Sequence, residues 1–376
     1  MLQAVLYDSS FQRRGPLPLL GASVVIRNNA VSTFTLDVDA TSPIFQGDQV
    51  KGWHVRCNDG DVSLDGMFTS KRRAQEVGVR EVSLSGESHV GYVERMICLL
   101  DPSKAITAQP DDDTGTYKRT GKLEDVVSAM LSANVGQTAL AENKTPLVVE
   151  ASHGRGKSVT INSRLENLLE VAQTAMLKDT SIVFESYLPP AGDGPRLRFR
   201  ASRDLTREVR LSEINGSLSS FELEESAPEA TRAIVSGPGA GDLHEFLSVS
   251  GPATDWGLAR TVYVSASNDD EDEMREAGEE ELADKGESAS ITLELVDVPG
   301  CRFGTDFTVG DKVTVRLADG AVVTDIVQSA EIDWSETGRE IKIHVGPTLE
   351  DPSETDAALV KKVKALSSKL GKVEKR

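Results

Sequence analysis

The chain has 376 residues, 39% of them hydrophobic and 27% charged; at roughly 100–200 residues per domain this predicts two to four domains, each able to bury a core, and argues against global disorder. With 41 basic and 60 acidic residues the formal net charge is -19, a field that repels nucleic-acid backbones, and the 5% of aromatic residues make base-stacking or sugar-stacking platforms a thin prospect. Cys57, Cys98 and Cys301 lie far apart in no CxxC or Cys/His cluster, which argues against a disulfide framework or zinc site and fits folding in a reducing cytoplasm.

In chain order, the start "MLQAVLYDSSFQRR" lacks a basic segment before an apolar core, and no run of 18 apolar residues follows anywhere, so neither a signal peptide nor a membrane span is expected. Residues 1–86 read as short strands: "ASVVIRNN", "STFTLDVD", "QVKGWHVRC", "VSLDGMFTS" and "VGVREVSLSG" alternate with period two or carry β-branched runs, separated by turn residues. Many short strands at near-regular spacing suggest a small barrel or sandwich. "ESHVGYVERMICLLDP" then predicts a helix ending before Pro102.

From about residue 103 helices and strands mix. "LEDVVSAMLSANVG" reads as an amphipathic helix stopped at Gly136. "EASHGRGKSVTI" tests for a phosphate-binding loop: Gly156, Lys157 and Ser158 match, but Ala151 stands where the first glycine belongs and the β-branched run Val159, Thr160, Ile161 reads as strand instead of helix. The segment is therefore a basic turn between strands. Ser163 with Glu166 reads as a capping box opening a helix over 163–177, with the stripe Leu165, Leu168, Leu169, Ala172 and Met176. Strands follow near 181–187 and 195–201, and again over 232–265 around the turn "GPGAGD".

Residues 269–287 hold eleven acids and two bases, a solvated acidic helix. Over 289–346 strands return: Val313, Val315 and Leu317 alternate, and "EIDWSETGREIKIHV" is a hairpin turning at Ser335 to Gly338. The last segment, 359–376, carries seven bases and one acid, and Leu359, Val363, Leu366, Leu370 and Val373 are spaced as a heptad seam. Two readings stay open there: a short coiled coil, or an amphipathic helix docked on the body.

No constellation for catalysis emerges. His54, His89, His153, His244 and His344 share no metal spacing and read as surface or strand residues; GxSxG is absent; and GxGxxG is incomplete at 237–242. The run "DDEDE", Asp269, Asp270, Glu271, Asp272 and Glu273, has Met274 where a calcium loop needs glycine. Carboxylates are so abundant that no glycosidase pair is singled out.

The order of these pieces, "VSLSGESHVGYVERMICLLDP", "LEDVVSAMLSANVG", "KSVTINSRLENLLEVAQTAM", "FELEESAPEATRAIVSGPGAG" and "FGTDFTVGDKVTVRL" with its closing hairpin, resembles the baseplate-hub-like minor tail proteins of siphophages, over roughly residues 1–346. The resemblance implies a mixed β-rich α+β fold: two small antiparallel β-barrel domains, an α+β domain and a C-terminal helix. The divisions expected are 1–102, a barrel-like domain; 103–235, the α+β domain; 236–348, a second barrel-like domain carrying the acidic helix; and 349–376, the terminal helix. It implies a virion structural protein made in the host cytoplasm, with no enzymatic activity, cofactor or metal. Three copies would form a ring that caps the tail tube at the tail tip and lets DNA pass. Its partners would be the tube or distal tail protein, the tape measure protein and downstream tip or fibre proteins. On that reading Asp269 to Glu273 line the ring's lumen and the terminal heptads oligomerise. A host-envelope glycan or receptor-binding tail protein is the alternative, and a cell-wall hydrolase the third reading.

Overall fold

The computed structural model describes residues 2–39, 50–76, 79–109, 115–190, 193–237, 246–252, 256–266, 270–286, 288–318, 320–335 and 338–346. Strands dominate, as the sequence predicts, and the described residues divide into two compact units: those within 1–221 together with 293–345, and those within 222–292.

The first unit is built on one large sheet. Alternation is visible in β4 (Thr33–Asp39), where Phe34, Leu36 and Val38 turn inward and the residues between them outward. The partners match it: β3 (Gly21–Arg27) contributes Ala22 and Val24, and β7 (Val79–Ser88) contributes Val82 and Leu84. With Leu6 of β1 (Gln3–Tyr7) and Val55 of β5 (His54–Asn58) these form one core. β6 (Ser63–Glu76) pairs with both β5 and β7. The edge strand β2 (Arg13–Leu17) is short and carries two arginines and Pro16, which blunt it against further pairing.

The sheet continues past β3 into the C-terminal part of the chain. β20 (Val322–Ser335) pairs antiparallel with β3, with Ile332 opposite Val24 and Trp334 opposite Ala22. β20 also pairs with β21 (Gly338–Val345), closing the expected hairpin with Ser335 opposite Gly338. Strands from the two segments expected as separate barrels thus share one hydrogen-bonded ladder. The N-terminal half of β20, Val322 to Ile326, pairs antiparallel with β19 (Lys312–Arg316).

A second core in the same unit joins α2 (Leu123–Asn134) and α3 (Leu168–Leu177) with β8 (Tyr117–Lys122), β10 (Ser158–Ser163), β11 (Ile182–Tyr187) and β12 (Arg196–Ala201). Two expected helices are corrected here. The segment before Pro102 forms only the single turn α1 (Gly91–Glu94), because its backbone pairs elsewhere: the Cys98 amide donates to Glu166 O, Leu168 N to Met96 O, and Leu99 N to the Asn134 side chain. Ser163 does not cap α3; it is the buried last residue of β10, opposite Tyr117, and Leu165 is exposed at positive φ. The cap is Asn167, whose side chain accepts from the Leu169 and Glu170 amides.

The second unit holds a small sheet in which β15 (Arg232–Ser236) lies between antiparallel β16 (Phe246–Ser250) and parallel β17 (Thr261–Ser265). α4 (Glu271–Asp284) covers one face of it, burying Met274 and Leu282 against Ala233, Val235 and Val249. Gly278 sits between those two side chains on the helix. A Cβ there would come within 2.8 Å of both Val235 and Val249, so the helix approaches the sheet only because this residue has none.

Candidate functional site

The titratable groups decide what chemistry the first unit can host. The "GRGK" segment is a structural turn: Gly154 and Gly156 take positive φ, the Lys157 amide donates to Asp179, and β10 begins at Ser158. Gly156 is needed for packing, since a Cβ would stand 2.8 Å from Ile182 and 2.9 Å from Leu123. Arg155 clasps the buried Glu124 of α2, with Nε to Oε2 and Nη2 to Oε1 both at 2.8 Å. Burial works to raise this carboxyl, but Arg155 and the backbone amides of 155 and 153 outweigh it and hold it at about 2.

Two histidines meet where their sequence positions give no hint of it. His54 Nδ1 lies 3.1 Å from His89 Nε2, both rings are buried, and Phe11 stacks on His54 at 4.5 Å. Burial lowers His54 to about 4 and His89 to about 3, and His89 Nδ1 has no hydrogen-bond partner among the described residues. The pair is a neutral core contact, and among the described residues no nucleophile or carboxylate is hydrogen-bonded to it. His344 lies in β21, His153 is exposed in the basic turn, and His244 falls outside the described residues. Among the described residues no three His, Cys, Asp or Glu side chains are grouped to hold a metal ion.

What the charges do instead is join distant segments. Asp311, fully buried before β19, accepts from Arg200 at 3.2 Å and from Arg203 through Nε at 3.0 Å and Nη2 at 2.5 Å, and from the Thr308 and Arg203 amides. Arg339 of β21 bridges Asp59 at 2.7 Å and Asp297 at 2.8 Å, and Trp334 Nε1 also donates to Asp59 at 3.2 Å. Asp59 is pushed up by burial, yet the Val62 amide and Arg339 hold it below the usual carboxylate range. Asp65 binds Arg56 at 2.9 Å and the Leu188 amide at 2.6 Å, tying β6 to the end of β11. Each is a multidentate, charge-assisted bond between residues more than a hundred positions apart or in different strands, which is how such groups specify one arrangement of a large sheet.

Of the expected lumen acids, Asp270 caps α4 by accepting from the Asp272 and Glu273 amides, Glu271 to Glu273 are exposed in its first turn, and Asp269 falls outside the described residues. Leu359, Val363, Leu366, Leu370 and Val373 also lie outside them. Sequence reasoning missed Asp311, Asp59 and Arg339. The only available signal was the Gly310-Asp311 turn, because partners arriving from other strands leave no spacing to read.

A family model matches residues 4–347, nearly the whole chain. The chain belongs to the siphovirus ReqiPepy6 Gp37-like protein family. This Gp37-like chain shares its fold with solved phage-type tail proteins. The tail protein from Neisseria meningitidis MC58 superposes at a TM-score of 0.58 with 14% identity, over 92% of this chain and 96% of that one. The 43 kDa tail protein of prophage MuSo2 from Shewanella oneidensis gives 0.59 and 12%, over 92% and 97%. Prophage tail protein gp18 from Listeria monocytogenes gives 0.50 and 10%, over 96% and 99%. Curated protein sequences include none similar to it. The resemblance to phage tail proteins that the order of sequence pieces carries therefore holds for family and fold.

Proposed function

We propose that the Gp37-like chain is a structural hub of the tail tip. Three copies form a ring that caps the tail tube, contacts the distal tail and tape measure proteins above and tip or fibre proteins below, and lets DNA through. The observation that carries this reading is a fold shared over 92% of the chain with proteins described as tail proteins from Neisseria and from a Shewanella prophage. The charged joints support it, since they hold a large sheet in one arrangement without forming a catalytic group.

In this reading residues 1–102 and 236–348 supply the barrel-like strands, joined where β3 pairs with β20, that give three subunits a pseudo-sixfold outline, and residues 103–235 decorate them. The acids Asp269 to Glu273 face the lumen, where like charge keeps the duplex off the wall. The heptads from Leu359 to Val373 gather on the axis, with salt screening their lysines. No reaction is assigned to the protein.

Light scattering of the purified full-length chain tests the assembly, followed by negative-stain imaging. A mass three times that of the chain with a ring outline is expected, either alone or on addition of the tube protein. A monomer under both conditions removes the ring.

A further inference from the structure

A cleft of about 330 Å³ opens in the first unit between the strands β5–β6 and the hairpin β11–β12; that is near the lower end of small-ligand pockets, ~300–1,000 Å³. Four of its lining side chains are charged and cancel in pairs. Arg56 binds Asp65 at 2.9 Å, and Arg198 binds Glu185 through Nε at 2.8 Å. The cleft therefore presents donors and acceptors side by side with no net charge to attract an ion.

Several of its polar groups are left unmet by the protein. Ser186 Oγ is buried with no hydrogen-bond partner. Asn58 uses only Oδ1, which accepts from the Gly60 amide at 2.6 Å, and its Nδ2 has no partner among the described residues; neither has the exposed Ser63 Oγ. Of these only the buried Ser186 Oγ calls for completion by water or by a ligand; Asn58 and Ser63 are exposed and offer their free donors and acceptors at the mouth of the cleft. Beside them stand apolar surfaces: Pro190, and the ring of Tyr187, which is held rigid by Arg198 stacked at 4.8 Å and by a hydroxyl bond to Glu150 at 2.5 Å.

We propose that this cleft binds a neutral hydroxyl-rich ligand, a hexose unit of a saccharide. A sugar hydroxyl both donates and accepts, so it can satisfy a carboxylate and an arginine of one pair at once, while the ring's C–H face rests on Tyr187 and Pro190. With each arginine already paired to a carboxylate, the cleft offers neither an anion nor a cation a net attraction. The inference stands apart from the ring reading, because a monomer and a trimer present the same cleft within each chain.

The test titrates the full chain with methyl glucoside, methyl galactoside and N-acetylglucosamine, with inorganic phosphate and glucuronate as anionic probes, following amide chemical shifts. Saturable shifts with at least one neutral sugar, at a Kd on the order of 1 mM, are expected. Ser63→Ala should leave the melting temperature unchanged, Asn58→Ala should lower it only slightly through loss of the bond from the Gly60 amide, and the two combined should weaken binding about tenfold. Tyr187→Ala should abolish binding. The proposal is overturned by no saturable binding of any neutral sugar, by binding of the anions alone, or by sugar binding that the Asn58/Ser63 double variant leaves intact.

Discussion

His89 is buried with one ring nitrogen unpartnered, and its neighbour His54 shares the other. Both have folded-state values lowered from 6.5, to about 3 and about 4. Because the unfolded chain then binds the more protons, stability is intact above pH 6.5 and falls as pH drops toward 4, by at most about 1.4 kcal/mol per pH unit for each histidine. Urea unfolding at pH 7, 6, 5 and 4 should show that slope, and the double variant His54→Leu/His89→Leu should flatten it. Asp311 acts differently, as a fully buried carboxylate serving two arginines. Asp311→Ala should cost about 3 kcal/mol by denaturant melt, less than the largest buried-pair losses because both arginines retain water access. Neither site was legible beforehand: a histidine pair 35 positions apart and an aspartate gathering partners from another strand become neighbours only when the sheet closes.

At the scale of elements, two positions separate local propensity from tertiary contact. Alanine in place of glycine normally stabilises an exposed helix by about 1 kcal/mol. In α4 the added methyl would meet Val235 and Val249 at under 3 Å, so Gly278→Ala should instead destabilise the second unit by about 1–3 kcal/mol, read as faster amide exchange along α4. For α3 the comparison is between two caps. Asn167→Ala removes the bonds to the Leu169 and Glu170 amides and one to Glu94 O at 2.6 Å; it should lower stability by about 1–2 kcal/mol. If Ser163→Ala lowers it by as much through fraying of the helix, the assigned cap is wrong. Alternating strands such as β4, and α2 with its stop near Gly136, could be read directly because their periodicity is local. The helix expected before Pro102 could not, since Met96 to Leu99 spend their backbone groups on residues 134 and 166–168.

For the whole molecule, the pairing of β3 with β20 is the decisive contact, joining residues three hundred positions apart in one ladder. Arg339 of β21 ties the C-terminal hairpin to Asp59, just after β5, and to Asp297, and Arg339→Ala should leave Asp59 uncompensated and lower the melting temperature by several degrees, as about 2 kcal/mol would in a domain of this size. Deleting the chain from Asp351 onward tests the terminal heptads: an unchanged oligomeric mass would exclude them from assembly. The sequence by itself determined the β-rich class, most strand positions, the acidic helix and the kinship with phage tail proteins, because alternation, turn residues and segment order are written along the chain. Only the tertiary structure decided that first and last strands share a sheet, which serine or asparagine caps α3, and which acids and arginines meet. Those outcomes depend on competition for backbone and charged partners between distant segments, and no local pattern records who wins it.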